Sequence, residues 1–544
     1  MDQQRYQHKW LIMAAVSLGM FLTLMDATIV NIAVPAIIKD LNTTVSKVSW
    51  VLNAYNLTLA VLFLSMGRIA DKFGQKRVFI GGVVVFTLFS LACGLSPGIY
   101  WLIVFRVGQA VGGAAMAPVS LAILLGSFPR KQHGLAVGLW GAMGAVAAAI
   151  GPTIGGLLVT YVSWHWIFYV NVPVGAVALF FGLAVIPERR RAAAATGVDI
   201  VGILIASVGL FCLSLGLIQG NSWGWSSVRI IALLVIAAVT YPMFYWWETH
   251  VRSPMFDFKL LRVRSFTAAN TAILGLGTAM GGALLLLVIF MVDVLGYSEL
   301  RAALAITAMP AVALVLSPIS GRLVDRIGPR IPAALGVGFF AVGLILLAQL
   351  GGDARLIDII WRIAFLGLGI GFAMPTLAAA AMGSVPDDSG GVGSGAFSMM
   401  RQMGFVLGVA ILVSIFSHTV AANVKVATQD SISYVNAQPQ IPAAAKSQIV
   451  AALQKAAAAA SQGGPGAAEI NNPLADAPPP ANAQAAAAQQ ALAQHIGTLY
   501  RTKLSKSFEW PFYAAALAAL LAIIPAVMTG RRLGGDRAAP SAQQ

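Results

Sequence analysis

The sequence predicts an all-α membrane protein with fourteen spanning helices. Of its 544 residues, 58% are hydrophobic and only 10% are charged, and the mean hydropathy is +0.81. A water-soluble chain of this length needs a larger share of polar residues to cover its surface. The apolar residues also fall in long runs. Such runs indicate membrane helices, which satisfy their own backbone hydrogen bonds within the bilayer.

Each of the fourteen apolar runs is long enough to cross a bilayer. A spanning helix needs ~20 mostly apolar residues to cross ~30 Å of hydrocarbon. The runs lie near residues 11–34, 49–69, 78–96, 101–126, 134–160, 166–186, 199–218, 229–247, 265–292, 301–320, 332–351, 357–383, 394–419 and 510–529. Because the number of runs is even, both termini should lie on the same side of the membrane.

The basic residues orient this bundle in the cell membrane, which is an inner membrane if the cell has two. With a cytoplasmic N-terminus, the inner segments hold twenty-one Lys and Arg and the short outer segments hold six. The positive-inside rule therefore predicts that both termini are cytoplasmic. This placement also accounts for the net charge of +15, so no nucleic-acid partner is expected. The two cysteines and six histidines have no metal-binding spacing, and neither a metal nor a cofactor is predicted.

Two similar segments indicate an internal repeat. The segment GRIADKFGQKR begins at Gly67 between runs 2 and 3, and GRLVDRIGPR begins at Gly321 between runs 10 and 11. At a constant offset of 254, the matched pairs are Gly67 and Gly321, Asp71 and Asp325, and Gly74 and Gly328. Two six-helix halves account for twelve runs, which makes runs 7 and 8 an insertion. The predicted domains are 1–190 (a six-helix bundle), 191–255 (the inserted pair) and 256–544 (a second six-helix bundle).

The first run contains an aspartate, Asp26, in the stretch LTLMDATIVNIAVP. It lies ~15 residues into the run, which at 1.5 Å per residue is past the middle of the membrane. An acid at this depth costs ~2.5–3.5 kcal/mol by insertion scales and persists mainly where it faces a cavity or a partner. Arg106 in run 4 lies at roughly the same depth. Asp26 is predicted to be either a group that binds and releases protons or a structural acid paired with an arginine.

Five segments carry a resemblance to one transporter family. They are GRIADKFGQKR between helices 2 and 3, DATIVNIAVP in helix 1, LIVFRVGQAVGG in helix 4, GPTIGG in helix 5 and RQMG in helix 13. Ala110 and Ala147 stand where the helix 4 and helix 5 patterns usually have Gly. The chain resembles the major facilitator superfamily in its fourteen-helix drug:proton antiporter branch. The resemblance implies the major facilitator fold, with two six-helix bundles and two inserted central helices.

The resemblance also assigns roles to residues. It implies that Asp26 couples transport to protons and that Arg106, by favouring the charged acid, tunes it; the alternative is a permanent ion pair. It implies a conformational latch formed by Gly67, Asp71, Gly74, Lys76, Arg77, Gly321, Asp325 and Gly328. It implies an antiporter motif in helix 5 that seals against the other half, formed by Gly151, Pro152, Gly155 and Gly156. Generic packing of small residues is the alternative for helix 5.

The expected substrate cavity is apolar and mildly polar. Asp26 is the one acid placed deep within a run, so a dication would lack a second counter-charge. Methionine is flexible and polarizable and accommodates varied apolar shapes. Candidate cavity residues are Met25, Asn53, Asn56, Gln109, Met280, Arg401 and Met403. Arg401 is expected either to stabilise a closed state or to contact anionic lipid or substrate.

The segment 420–509 between runs 13 and 14 is rich in alanine. Two stretches with high helix propensity are separated by GGPG and NNPLADAPPP, which break helices. They predict an extracytoplasmic helical hairpin, which would serve as a lid, a lipid guide or an arm that docks a periplasmic adaptor or a lipid-handling protein. The alternative is a low-complexity insertion without a transport role.

The predicted function is proton-coupled export of lipophilic, neutral or monocationic drugs by a monomeric antiporter that works by alternating access. Its expected partners are small lipophilic substrates, protons and membrane lipids. Export of lipids or lipophilic metabolites is the alternative among transporters. A membrane enzyme is disfavoured because no catalytic motif is present, and no catalytic residue is predicted. A passive channel is disfavoured because no repeated filter sequence is present.

Overall fold

A computed structural model describes residues 8–187, 199–251, 254–386, 389–438, 443–461 and 483–530. Fourteen helical spans in these ranges are long and apolar enough to cross a membrane, which confirms the predicted number, and the same ranges contain no strand. The main helices of these spans are α1 (Lys9–Asp40), α2 (Val45–Phe73), α3 (Gln75–Gly94), α4 (Ile99–Ser127), α5 (His133–Tyr161), α6 (Asn171–Val185), α7 (Ile200–Trp223), α8 (Val228–His250), α9 (Arg264–Ile289), α10 (Ala308–Ile327), α11 (Arg330–Ala348), α12 (Leu356–Gly383), α13 (Gly390–Ala437) and α14 (Glu509–Met528).

Shorter elements join or extend these helices. A helical turn at Trp166–Tyr169 precedes α6, and a short helix at Glu299–Ile306 precedes α10. A π-helical turn, Phe290–Val294, continues α9. Gly74 ends α2 and Gly328 ends α10 with backbone φ angles of 102° and 84°. Glycine adopts this left-handed region without a steric penalty, so the repeat places the same turn in both halves.

The helices form two bundles joined by the inserted pair. In the first bundle α1 packs against α4, α5 and α6, and α3 packs against α4. In the second bundle α9 packs against α13 and α14, and α12 packs against α10 and α11. The inserted helices α7 and α8 pack against each other, and α7 also contacts α2 and α13.

The two bundles meet through two equivalent helix pairs. Helix α5 packs along α10, and α2 packs along α13. Because α2 corresponds to α10 in the repeat, these are the same contact made twice around an approximate two-fold axis. The predicted domain limit at residue 190 and the arginines at 189–191 lie outside the described residues, as do residues 1–7, 252, 253 and 531–544. The domain limits and the orientation of the termini therefore stay predictions.

Helix α13 is much longer than expected. The sequence predicted that it ends near residue 419, but it continues without a break to Ala437, a length of 48 residues. The extra turns carry an apolar stripe, and Val424, Ala427 and Val435 are buried. The two predicted helices of the following segment are present at Ala443–Ser461 and Ala483–Lys506. Both pack against the extension of α13.

These three helices form an arm at the end of the protein opposite the Gly74 and Gly328 turns. Along the arm the Thr428 hydroxyl and the Tyr500 hydroxyl share a 2.6 Å hydrogen bond, and the rings of Tyr434 and His495 stack at 3.8 Å. At its base Thr419 Oγ1 donates to the carbonyl oxygen of Ser507 at 2.9 Å. The arm therefore has a packed interior of its own and is continuous with the second bundle. The Gly- and Pro-rich stretch at 462–482 lies outside the described residues.

Candidate functional site

The contact between α2 and α13 is closed by an aspartate of the first repeat segment. Asp71 Oδ1 accepts a hydrogen bond from the Gly391 backbone N–H at 2.7 Å, and Oδ2 accepts one from the Val392 N–H at 2.8 Å. Gly391 and Val392 belong to the first turn of α13, whose N–H groups have no partner within the helix. A carboxylate is also favoured there by the helix dipole. Asp71 therefore caps a helix of the opposite bundle.

The second repeat segment makes the same contact in reverse. Asp325 Oδ1 accepts from the Gly134 N–H at 2.8 Å, and Oδ2 accepts from the Leu135 N–H at 2.9 Å. Gly134 and Leu135 lie in the first turn of α5 in the first bundle. The two bundles thus clamp each other symmetrically at one end.

Glycines allow the backbones to touch at both clamps. A Cβ atom added at Gly67 would lie 2.1 Å from the Gly391 carbonyl oxygen, and one added at Gly321 would lie 2.2 Å from the Gly134 carbonyl oxygen. The partners Gly134 and Gly391 were not predicted. The sequence does contain a pattern that marks them: two glycines four residues apart occur in GLAVG at 134–138 and in GVGSG at 391–395. These two segments are 257 residues apart, whereas the Gly67 and Gly321 segments are 254 residues apart.

Three further latch candidates, Gly74, Gly328 and Lys76, act within their own bundle. Gly74 and Gly328 form the positive-φ turns described above. Lys76 Nζ donates to the Leu183 carbonyl oxygen at 2.9 Å, which ties the start of α3 to the end of α6. The structure thus brings Gly67, Asp71, Gly321 and Asp325 to the interface between the bundles.

A second polar site lies inside the first bundle, around Asp26. Its carboxylate pairs with the guanidinium of Arg106, and both side chains are fully buried. Asp26 Oδ1 also accepts hydrogen bonds from Gln109 Nε2 at 2.9 Å and from Asn171 Nδ2 at 3.0 Å. Three donors from α4 and α6 therefore surround a carboxylate on α1, a set that complements its ionised form.

Arg106 has its own ring of partners. Its Nη1 donates to Gln109 Oε1 at 2.8 Å, and its Nε donates to the Val51 carbonyl oxygen at 3.3 Å. The Tyr55 ring lies over the guanidinium, 4.0 Å from its carbon to the ring centroid. These contacts with α2 and α4 do not involve Asp26. They would hold the arginine in place if the acid became neutral.

Asn171 is a functional candidate that the sequence reading missed. Its Nδ2 donates both to Asp26 and to Ser90 Oγ on α3, the latter at 3.1 Å. Its Oδ1 is buried and has no hydrogen-bond partner among the described residues. An amide turned by 180° would present this oxygen to a protonated Asp26, which could then donate to it. The available signal was one asparagine at the start of an otherwise apolar run.

Two glycines of the predicted antiporter motif pack within the first bundle, whereas a Cβ added at Gly156 would lie 4.0 Å from Leu300 of the second bundle, so the sealing role of the motif stays a prediction. A Cβ added at Gly151 would lie 2.2 Å from Thr28 Oγ1, and one at Gly155 would lie 2.8 Å from the Ile29 side chain, and both contacts are with α1 of the same bundle. The glycines of α5 that approach the backbone of α10 lie near the start of the helix: they are Gly134 at the clamp and Gly138, whose added Cβ would lie 2.4 Å from the Ser317 carbonyl oxygen. Spacing alone did not reveal which face of α5 each glycine occupies.

Substitution of Gly151 by Leu should therefore disturb α1 rather than open a leak between the bundles. The added side chain has to displace Thr28, which lies two residues after Asp26, and overpacking of this kind typically costs ~1–3 kcal/mol. We expect slower transport with normal membrane insertion. The measurement is the export rate per inserted molecule, with Gly81→Leu as the control because an added Cβ at Gly81 meets nothing within 4 Å. Equal rates for Gly151→Leu and Gly81→Leu would contradict this prediction.

The seven cavity candidates divide into two groups. Met25, Gln109 and Met403 are buried in packed helix contacts, and Gln109 belongs to the Asp26 network. The partly exposed candidates are Asn53, Asn56, Met280 and Arg401. Of these, Asn56 Oδ1 accepts a 3.3 Å hydrogen bond from Gln402 Nε2 and so bridges α2 and α13 of the two bundles.

Comparisons with known proteins agree with this architecture. The Major Facilitator Superfamily model matches residues 16–409. The chain is 35% identical over 416 residues to "Multidrug resistance protein Stp" of Mycobacterium tuberculosis, covering 76% of this chain and 77% of that protein. It is 32% identical over 404 residues to "Tetracenomycin C resistance and export protein" of Streptomyces glaucescens, covering 74% and 75%.

A solved structure shows the same fold. The major facilitator proton:xylose symporter XylE aligns with a TM-score of 0.55 at 14% identity, covering 76% of this chain and 90% of that one. The family and its curated relatives are transporters, so the prediction that this chain is not an enzyme is confirmed. The chain belongs to the major facilitator superfamily of membrane transporters, as the family match, the fourteen membrane helices and the two-bundle architecture together show.

Proposed function

We propose that this transporter exports lipophilic drugs across the cell membrane in exchange for protons. The observation that carries the proposal is Asp26, which lies deep inside α1 and is joined to Arg106, Gln109 and Asn171 of α4 and α6. Relatives named for multidrug resistance and for tetracenomycin C export support drug efflux as the direction of transport.

Protonation of Asp26 is the proposed coupling step. A neutral carboxyl group no longer attracts Arg106, whose other bonds to Gln109, Val51 and the Tyr55 ring keep it nearby. Helices α1 and α4 would then lose the charge pair that joins them, and the hydrogen bond from Asn171 of α6 would go to a neutral carboxyl group. In this proposal a proton taken up from outside loosens the first bundle, and release of the proton to the cytoplasm restores it.

Alternating access would act through the two symmetrical clamps. Each clamp uses two hydrogen bonds from backbone N–H groups to a carboxylate, and water can replace each of these bonds when the helices separate. Helix starts are well suited to such contacts because their first N–H groups have no partner within the helix, so they can bind a carboxylate or water without breaking the helix. We propose that the clamps hold the cytoplasmic side closed and that both termini lie on that side.

The proposed substrates are lipophilic compounds. The sequence predicted that they are neutral or carry one positive charge. The structure supports the neutral class more strongly, because the acid that would offset a cation already pairs with Arg106 and accepts two amide hydrogen bonds. The protein is proposed to act as a monomer. The arm is proposed to serve export, and docking of an adaptor or a lipid-handling protein is one role that it would have.

The test is transport by purified protein in vesicles with an acidic lumen. Molecules whose cytoplasmic face points outward should concentrate a lipophilic dye inside, and collapse of the pH gradient should stop this accumulation. Three probes with one apolar body would be compared: the methyl ester of pyrenebutanoic acid, the free acid, and a pyrenebutyl trimethylammonium ion whose charge does not titrate. Absence of gradient-dependent uptake of every probe, with protein-free vesicles as the blank, would refute the proposal.

Replacement of Arg106 by Gln should shift the pH dependence of transport upward. Without the guanidinium, the buried Asp26 carboxylate loses its counter-charge, so the neutral form of the acid is favoured over a wider range of pH. The measurement is the uptake rate of the ester as a function of pH in vesicles. A well-inserted variant whose profile coincides with that of the unaltered protein would assign the pair a purely structural role.

A further inference from the structure

Arg401 is a cation in the membrane-spanning part of α13. It lies eleven residues after the start of α13, so it is ~16 Å along a helix that crosses ~30 Å of hydrocarbon. Among the described residues the Arg401 side chain has no hydrogen-bond partner and no ion-pair partner, unlike that of Arg106. A charge at this depth is costly and normally faces a partner or a water-filled space.

Arg401 lies deep among the helices but faces accessible space. Its residue is partly exposed. None of its guanidinium nitrogens is among the buried unpartnered atoms of the described residues, so the charged end of the side chain is accessible. Its own backbone packs on α9, where a Cβ added at Gly277 would lie 2.7 Å from the Arg401 carbonyl oxygen.

The position of Arg401 relates this space to the contact between the bundles. The next residue, Gln402, hydrogen-bonds to Asn56 on α2 of the first bundle, so α13 approaches the other half at this level. Ten residues earlier on the same helix, Gly391 is clamped by Asp71. Arg401 therefore lies at the level where α13 approaches the first bundle, ~15 Å along the helix from the clamp.

The three acids that the described residues place in the first bundle and at the clamps already have partners. Asp26 is already paired with Arg106 and surrounded by amides in the first bundle. Asp71 and Asp325 are occupied by the backbone N–H groups of the clamps. The guanidinium thus presents planar, forked donors, which match the two oxygens of a carboxylate.

We infer that Arg401 binds the anionic group of the substrate, so that lipophilic compounds bearing one carboxylate belong to the exported class. This inference rests on the proposed export function and extends it from neutral compounds to acids. A singly charged carboxylate would neutralise the buried cation, whereas a cationic compound would add a second positive charge beside it. The order of preference is then acid, neutral ester, quaternary cation.

The experiment compares the free acid and the methyl ester of pyrenebutanoic acid in the vesicles described above, for the unaltered protein, Arg401→Gln and Arg401→Lys. We expect Arg401→Gln to lower gradient-driven uptake of the acid by about tenfold or more, because a charge-assisted hydrogen bond to a buried ion is lost. Uptake of the ester should change less than about twofold, which also shows that the variant is folded. Arg401→Lys should lie between them, since it keeps the charge but not the fork. Passive trapping does not imitate the result, because an acidic lumen excludes a weak acid.

Several outcomes separate this inference from its alternatives. Equal losses for acid and ester, or no loss for either, would overturn it and leave Arg401 with a structural role. A defect seen only in vesicles containing phosphatidylglycerol, and absent in phosphatidylcholine, would overturn it in favour of a bound lipid phosphate. The exposed arginine control, Arg229→Gln, should leave the ratio of acid to ester unchanged. If the unaltered protein concentrates none of the three probes, the proposed export function fails, independently of Arg401.

Discussion

Replacement of Asp26 by Asn should abolish uphill export. Asparagine preserves the shape and can still accept from Gln109 and Asn171 through its oxygen, but it carries no proton into the cycle. Its amide nitrogen would also face the Arg106 N–H groups, so a donor meets a donor. We expect the gradient-driven accumulation ratio to fall to about one, since without proton binding the gradient supplies no driving force.

Loss of one partner of a buried ion pair also destabilises a protein by ~3–5 kcal/mol. The double variant Asp26→Asn with Arg106→Gln removes both charges and serves to separate folding from coupling. It should insert normally and still exchange the ester downhill, while uphill accumulation stays absent. The exposed loop variant Asp257→Asn is the matched control and should transport normally. Uphill accumulation at the unaltered level by Asp26→Asn would show that another group couples the protons.

Replacement of Gly391 by Val should prevent closure of the α2–α13 clamp. Any Cβ at this position lies 2.2 Å from the Gly67 carbonyl oxygen. The Cβ is fixed to the backbone of α13 and the oxygen is part of the backbone of α2, so neither atom can rotate away. The helices therefore have to separate, which removes the hydrogen bonds from Gly391 and Val392 to Asp71. We expect transport to fall at least about tenfold, as the lost charge-assisted bonds are worth ~1.5–3 kcal/mol each.

Amide hydrogen exchange would report this opening directly. In Gly391→Val the backbone N–H groups at the start of α13 should exchange faster, while those at the start of α5 report whether the symmetrical clamp opens as well. Gly338→Val is the matched control, because a Cβ added at Gly338 meets nothing within 4 Å. Unchanged exchange at residues 391–395, together with reduced transport, would place the effect of the substitution outside the clamp.

The sequence was most informative where a residue was chemically out of place. Asp26 and Arg106 stood out because charges are costly in apolar runs, and depth alone placed them at the same level of the membrane. Asn171 was not predicted because a single neutral amide near the start of an apolar run is common in helices where it has no functional role. Its importance comes from the packing of α6 against α1, which no local pattern encodes.

Helix faces and helix ends were the least predictable features. The glycines of α5 have helical spacing on more than one side, so the pattern did not distinguish Gly138, which contacts α10, from Gly151, which contacts α1. The end of α13 was placed at residue 419 because hydropathy falls there. Hydropathy marks where the bilayer ends, whereas helix length depends on the propensity and packing of the residues beyond it.

The continuous helix α13 has a mechanical consequence. Its first turn is held by Asp71 at the clamp, and about twenty residues at its other end project into the arm, a length of ~30 Å. A rigid rod pivoting by ten degrees at the membrane surface would displace the end of such an extension by about 5 Å, on the basis of that rise per residue. If the second bundle tilts during the proposed transport cycle, the arm would act as a lever that enlarges this movement at its outer end. A pair of spectroscopic labels, one on the outer end of the first bundle and one near Ala437, would read the state of the clamp from the far side of the membrane.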